Sequence, residues 1–321
     1  MAVFTPVTFE QARDYFALYD LPDQDLADLT PIAEGTDNSN FLLTGTDHKY
    51  VLTLFESRVN PEDLPGIFQF IAELEQAGIP VAHPYHQKDG HQIGELNGRP
   101  AVLFSFLHGE MHTPPAATHA GQAGELLAQM HNAAEGMDIV LPKNPLSLAT
   151  WKDMAKAHRQ TIAEFDQWEN VQAALSVLSE HWPTLQNLPM GNVHADVFPD
   201  NVFFNDGQIA GVIDFYFSCM DSFAYDMMLT LNAWCFDTAG TVGPDYINRF
   251  LKGYIKQRLL TEDEVENLSL LGQAAALRIA LTRFRDWHKS AGDDGHFTPR
   301  DPVAYMKIIA YHQIHDIKDT I

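Results

Sequence analysis

A chain of 321 residues with 45% apolar side chains can bury a sizeable core, in one large domain or two lobes, and is too apolar for a disordered chain. Its net charge of −23 argues against sequence-independent binding to nucleic acid or to an anionic membrane, because their phosphates would repel it. Cys219 and Cys235 form no CxxC pattern, and there is neither a signal-like leader nor an apolar run of the ~20 residues needed to span a bilayer, so reduced thiols in a cytoplasmic protein are expected.

In chain order, a helix is predicted around residues 8–20, and strand signals run from Thr30 to Leu107. The runs "NFLLTG" and "YVLTLFE", joined by "TDHK", read as a hairpin. Leu64, Ile67, Phe68, Ile71 and Leu74 recur at helical spacing, and Gly78 reads as a stop signal. The turn signals "KDG" at 88–90 and "NG" at 97–98 flank short strands, the last being "PAVLFSFL" at 100–107. From Thr113 the pattern is mostly helical. Helices are expected over "HAGQAGELLAQMHNAAEG", then near 147–159 and 161–181, and again near 223–236, 244–257, 262–289 and 302–316. Between the two sets, "NVFF" and "IAGVIDF" flank "NDGQ" as a β-hairpin. The layout is α+β with two unequal lobes: residues 1–107 as a small β-rich lobe ending in a hinge strand, and 108–321 as a larger helical lobe. Ligands prefer the cleft that such an arrangement leaves.

The densest polar chemistry is in "GNVHADVFPDNVFF" at 191–204, where His194, Asp196, Asp200 and Asn201 sit among apolar residues. Buried carboxylates without partners are costly, so this is either a polar surface turn or a site. Asn201 precedes the first strand of the hairpin and Asp214 ends the second, in "VIDF", so the two meet at the hairpin's open end. An amide oxygen and a carboxylate are hard ligands of the kind that hold Mg²⁺ together with phosphate oxygens. Asp196 is then left to accept a proton from a hydroxyl. The HxDxxxxN pattern, followed thirteen residues after its asparagine by Asp214-Phe215, matches kinase-type phosphoryl transfer. Asp200 fits neither the metal nor the base position and reads as a solvated or loop-stabilising residue.

These motifs, with "EGTDNSNFLL", "AGIPVAHP", "LLAQMH", "GVIDFYFSCMDSFAYDMM" and "LRIALTRFRDWH", resemble the aminoglycoside phosphotransferase/choline kinase superfamily of protein-kinase-like folds, and within it the homoserine kinases of the kinase-like type. The resemblance spans nearly the whole chain. It implies a bilobal kinase-like fold that uses ATP and Mg²⁺, with a small amino-acid alcohol as acceptor. Residue by residue, it implies Asp196 as catalytic base, Asn201 and Asp214 as Mg²⁺ ligands, His194 as a loop-fixing residue and Asp226 as the acid that braces the loop. It places a phosphate-covering loop at "GTDNSN", with Gly35, Ser39 and Asn40, and an adenine-binding linker at 103–107, with Ser105 and Leu107.

Two features depart from the superfamily. Thr53 stands where a strand lysine would hold the phosphates, and the position of its partner glutamate falls near Phe68. Loss of both halves together leaves no unpaired charge. The resemblance therefore implies a subgroup feature, with phosphate charge met by Mg²⁺, loop N–H groups, or Lys49 or Arg58. For an amino-acid acceptor, Arg283 is a candidate carboxylate clamp because guanidinium presents a planar fork. Arg278, Tyr216 and Asp221 are further acceptor-site candidates; pairing of the arginines with surface acids is the alternative. Other acceptors on the same fold (choline, methylthioribose, an aminoglycoside), a non-catalytic binding protein and a metal-dependent hydrolase remain competing readings.

Overall fold

The computed structural model describes residues 4–23, 25–32, 38–56, 59–185, 187–243, 245–288 and 299–321. The first third forms a five-stranded antiparallel sheet flanked by two helices. Its strands are β1 (Leu26–Pro31), β2 (Ser39–Gly45), β3 (Lys49–Leu54), β4 (Gly94–Leu96) and β5 (Arg99–Ser105), in the order β1-β2-β3-β5-β4. The β2–β3 hairpin pairs Leu43 with Tyr50 and Asn40 with Thr53. The β4–β5 turn is Asn97-Gly98, with φ of 52° and 74°. Positive φ at both central residues suits a two-residue turn whose twist matches its strands.

One sheet face packs on α1 (Phe9–Phe16), which Thr8 and Gln11 start with a capping box. The other face, through Val102 and Phe104, joins α2 (Leu64–Gln76) and the helical core. All five apolar residues expected to face inward on α2 are buried. The helix stops at Gly78, whose φ of +84° disfavours any residue with a Cβ.

The helical part contains α3 (Ala117–Ala134), α4 (Leu148–Ala157), α5 (Arg159–Glu164) and α6 (Trp168–Leu185). The single helix expected over 161–181 is thus two pieces. Asp166 turns at φ 55°, and Phe165 folds inward against Phe284 at 5.6 Å and Trp287 at 4.9 Å. Tertiary aromatic packing overrides helical periodicity here.

Four short strands follow: β6 (Met190–Val193), β7 (Val202–Asn205), β8 (Gln208–Val212) and β9 (Cys219–Ser222). Then come α7 (Phe223–Cys235), α8 (Tyr246–Gln257), α9 (Glu262–Asp286) and α10 (Val303–Ile314). Among the described residues, no helix is long and apolar enough to cross a membrane.

Glycines set one crossing that matters for the site. A Cβ on Gly124 would strike the Phe250 carbonyl, and one on Gly253 the Gly121 carbonyl. Their absence lets α3 and α8 approach backbone to backbone, which brings His131 of α3 within 2.7 Å of the Tyr254 hydroxyl of α8.

Candidate active site

Two ladders, one inside the other, build the site. The inner is the β7–β8 hairpin, turned at Asp206-Gly207 with φ of 50° and 73°. The outer pairs β6 with β9, Val193 opposite Cys219. Sequence periodicity over four-residue strands gave no signal for the outer ladder. Between the ladders, residues 194–201 and 213–218 are left as two loops that face each other. The first holds His194, Asp196, Asp200 and Asn201; the second holds Asp214 and Tyr216.

Backbone and side-chain bonds lock the loops together. The Ile213 N–H donates to the Asn201 carbonyl at 3.0 Å, and His194 Nε2 lies 3.1 Å from the Ile213 carbonyl. The Asp196 N–H donates to His194 Nδ1 at 3.2 Å. Nδ1 must therefore be the bare nitrogen and Nε2 must carry the proton. Burial agrees with this neutral form, since it pushes the His194 pKa down to about 4. Phe215 lies against the His194 ring at 4.4 Å and against Phe70 of α2 at 6.1 Å, tying the second loop to the sheet side.

Asn201 donates through Nδ2 to both the Asp196 carbonyl at 2.9 Å and Asp196 Oδ2 at 3.0 Å. With its nitrogen so committed, its amide oxygen faces elsewhere. Asp214 sits just past β8 in the left-handed region, φ 67°. The pair is a hard oxygen donor set that could hold a divalent cation jointly with phosphate oxygens. Among the described residues, no cluster of three or more His, Cys, Asp or Glu forms a self-contained metal cage.

Ala195, at φ 62°, is a strained non-glycine residue directly before Asp196. Both of its peptide groups are gripped by buried charges. Its N–H donates to Asp226 Oδ1 at 3.0 Å, and its carbonyl accepts from Arg278 Nη1 at 3.0 Å. Behind Asp226 runs a buried chain. His131 Nε2 is 3.0 Å from Asp226 Oδ2, and Arg258 Nη1 donates to the Tyr254 hydroxyl at 3.3 Å and to Glu264 at 2.9 Å. Burial lowers the His131 pKa, so one neutral tautomer serves the chain: Tyr254 O–H to Nδ1, Nε2–H to Asp226. His131, Tyr254 and Arg258 were not flagged as site residues. The sequence traces of this chain are Asp226 itself, the "LLAQMH" motif that ends in His131, and the Thr261–Glu264 capping box that starts α9.

The remaining candidates scatter. Arg278 is buried at the loop, where its guanidinium meets the Tyr225 hydroxyl. Asp221 accepts from Asn144 at 2.6 Å and from the Ser222 N–H at 2.7 Å, and burial raises its pKa. Tyr216 packs edge-on against Phe55 at 4.9 Å and meets the Thr53 hydroxyl, which in turn donates to Asn40 Oδ1 at 2.8 Å. So the position of the missing lysine holds a neutral Asn40–Thr53–Tyr216 set, and Phe68 stacks edge-on against Phe104 at 5.8 Å where the partner acid would be.

Ser39 is fully buried: its hydroxyl accepts from the N–H groups of Phe4 and Thr5 and donates to Glu56, which anchors the N-terminal segment. Ser105 exchanges bonds with His83 through its N–H and hydroxyl, and Leu107 packs over Gly211. Gly35 and Arg58 lie outside the described residues. Lys49 is exposed over the Phe106 ring, 5.4 Å from its centroid. Arg283 lies over the Tyr305 ring at 4.5 Å, and Asp200 pairs with Arg300 at 2.8 Å.

The family described as phosphotransferase enzyme family matches residues 28–260. A homoserine kinase of Agrobacterium fabrum is 39% identical over 315 residues, covering 98% of this chain and 96% of that protein. One from a Bradyrhizobium species is 40% identical over 323 residues, with the same coverage. Among solved structures, a spectinomycin phosphotransferase in complex with ADP and spectinomycin superposes with a TM-score of 0.68 at 14% identity, over 96% of this chain and 99% of that one. An amicoumacin kinase in complex with AMP-PNP, Ca²⁺ and Ami superposes with a TM-score of 0.66 at 17% identity, over 97% of this chain and 93% of that one. The two structures establish a protein-kinase-like fold. With the profile covering most of its length and relatives of that identity covering nearly all of it, the chain belongs to the phosphotransferase enzyme family, in the branch whose members are named homoserine kinase.

Proposed function

We propose that this protein transfers the γ-phosphoryl group of ATP to the hydroxyl of L-homoserine, a step of threonine biosynthesis in the cytoplasm. The carrying observation is near-full-length identity of about 39% to homoserine kinases in a chain whose Asp196, Asn201 and Asp214 lie on two facing, interlocked loops. In this reading residues 1–107 form the nucleotide lobe, with the end of β5 as the hinge beside adenine, and 108–321 carry the loops and the acceptor site.

Asp196 accepts the acceptor's hydroxyl proton and orients its oxygen for in-line attack. Asn201 and Asp214 would hold Mg²⁺, which when bound would neutralise phosphate charge. The protein's share is mostly positioning, as a loose phosphoryl-transfer transition state requires. Asn201 links the two tasks, because its amide N–H₂ fixes the Asp196 carboxylate.

The test is nucleotide consumption with L-homoserine, choline, methylthioribose and an aminoglycoside, for wild type and Asp196→Asn. Homoserine-dependent turnover that falls by about 10³-fold or more in the variant, with ATP binding retained, is expected. No homoserine-dependent turnover in the wild type would reject the acceptor, and an unchanged variant would reject Asp196 as base.

A further inference from the structure

We propose that Arg300 and Arg283 together bind the carboxylate of the amino-acid acceptor, with the Asp200–Arg300 ion pair as the resting position of one arm. The inference rests on the homoserine reading and specifies how the acceptor is told from an uncharged analogue.

Arg283 is on the last turns of α9, and Arg300 is on the segment leading into α10. Nη1 of Arg283 donates to the Asp301 carbonyl at 2.7 Å, and its guanidinium lies over the Tyr305 ring. Among the described residues no carboxylate pairs with it at ion-pair distance, although the charges of Asp301 and Asp200 act on it. Arg300 Nη2 holds Asp200 Oδ2 at 2.8 Å. These groups surround one place. Tyr305 lies in the fields of Arg283, Arg300, Asp196 and Asp200 at once, and Arg300 in that of Asp196. Burial first, and the neighbouring Arg300, lower the proton affinity of Arg283 against the opposing pull of Tyr305, Asp301 and Asp200.

Arg300 is close enough to act on the Arg283 guanidinium, and of the two only Arg300 makes an ion pair among the described residues, so a second anion would neutralise the pair. Its position identifies it. The arginines come from α9 and the α10 approach and not from the two loops that carry Asn201 and Asp214, which assigns their anion to the acceptor rather than to the nucleotide. Arg300, held on Asp200 of the same loop, lies in the field of Asp196, where the acceptor hydroxyl must be. In homoserine three carbons separate the hydroxyl oxygen from the carboxyl carbon, so a carboxylate held by the arginines leaves the hydroxyl free to reach Asp196. Planar guanidinium suits a carboxylate by paired N–H donors. Asp200, two residues before the hairpin strand, keeps Arg300 oriented until the acceptor's carboxylate shares it.

The test compares L-homoserine with its uncharged carboxamide, in wild type, Arg300→Gln, Arg283→Gln and Arg300→Lys. Each glutamine variant is expected to raise the KM for homoserine by about 10- to 100-fold, the range for a lost charge-assisted bond. The KM for the carboxamide and for ATP should stay within about twofold, so preference for the charged acceptor collapses, and lysine should recover part of it. A folded Arg300→Gln enzyme with unchanged homoserine KM overturns the inference. So does an equal loss for both acceptors, the mark of a structural role. A wild type inactive on homoserine overturns the parent reading and the inference with it; an active wild type with an unaffected variant overturns the inference alone.

Discussion

Asp226→Asn is the sharpest probe of how the Asp196 loop is held. The carboxylate is fully buried and accepts two bonds, from the Ala195 N–H and from His131 Nε2, each at 3.0 Å. Bonds to a charged acceptor are worth about 1.5–3 kcal/mol against about 0.5–1.5 for neutral pairs, so keeping the Ala195 bond through an amide oxygen loses about 1 kcal/mol. At the other position the new N–H₂ meets the N–H of His131. The imidazole can accept only by moving its proton to Nδ1, which then faces a Tyr254 hydroxyl already accepting from Arg258. One buried donor stays unpaired, at about 1–3 kcal/mol. The sum is about 2–4 kcal/mol, a large part of the roughly 5–15 kcal/mol that holds a domain folded. Ala195, at φ 62°, is also released to relax, displacing the adjacent Asp196. Misplacement by about 1 Å costs on the order of 10²-fold in rate, so kcat should fall by that factor while the KM for ATP stays nearly constant. Urea unfolding and steady-state kinetics on the same preparation read both effects. A lowered unfolding midpoint with wild-type kcat would refute the claim that this chain positions Asp196.

Two further outcomes follow from the same structure. The pKa of His194 is held at about 4 against an ordinary 6.5, so the unfolded chain binds the proton first as pH falls. Its contribution is complete above pH 6.5 and is lost progressively between pH 6.5 and 4, at about 3 kcal/mol in all; buried His312, pushed to about 3, adds in the same direction. Urea midpoints across that range should fall in wild type and flatten in His194→Asn, and identical slopes would count against the neutral-histidine assignment. Thr53→Val keeps the shape but strands the Asn40 amide oxygen and the Tyr216 hydroxyl, for a loss of about 1–2 kcal/mol that Thr53→Ser should avoid. Equal stability of the two variants would show that the hydroxyl is idle.

The inner hairpin was legible because its signals are local. Apolar runs flank Asp206-Gly207, whose positive φ values the turn requires, and the polar motif sits at fixed offsets from that turn. The outer ladder was not, since β6 and β9 are four residues each and pair across the whole loop region. Sequence reasoning set Asp200 aside because its spacing fitted no role in the motif. Its partner Arg300 is 100 residues away, and no pattern within the loop points there. Arg278 was placed correctly on a late helix, but periodicity cannot tell whether an inward arginine meets a ligand or a backbone carbonyl. The structure puts it on the Ala195 carbonyl.

That contact bears on why a core this apolar contains Asp226, Arg278, Arg258 and Glu264, all buried. Ion pairs of this kind add little net stability over apolar packing, because desolvation offsets their attraction. What they add is position. Helix α7 presents an anion to the N–H of Ala195 and α9 a cation to its carbonyl, so one strained residue is held from two sides by elements that cannot move independently of the core. The Tyr254–His131–Asp226 chain extends that grip to α3 and α8, whose close approach depends on glycine at the crossing. At Thr53 the chain dispenses with charge, and the sheet-side contact to the second loop is a set of neutral hydroxyl and amide groups. Ionic groups therefore fix the loop that carries Asp196, while neutral ones line the strand beside Asp214. Removing the lysine–glutamate pair from the sheet costs no buried partner, whereas removing any one charge from the helical side strands the group it holds.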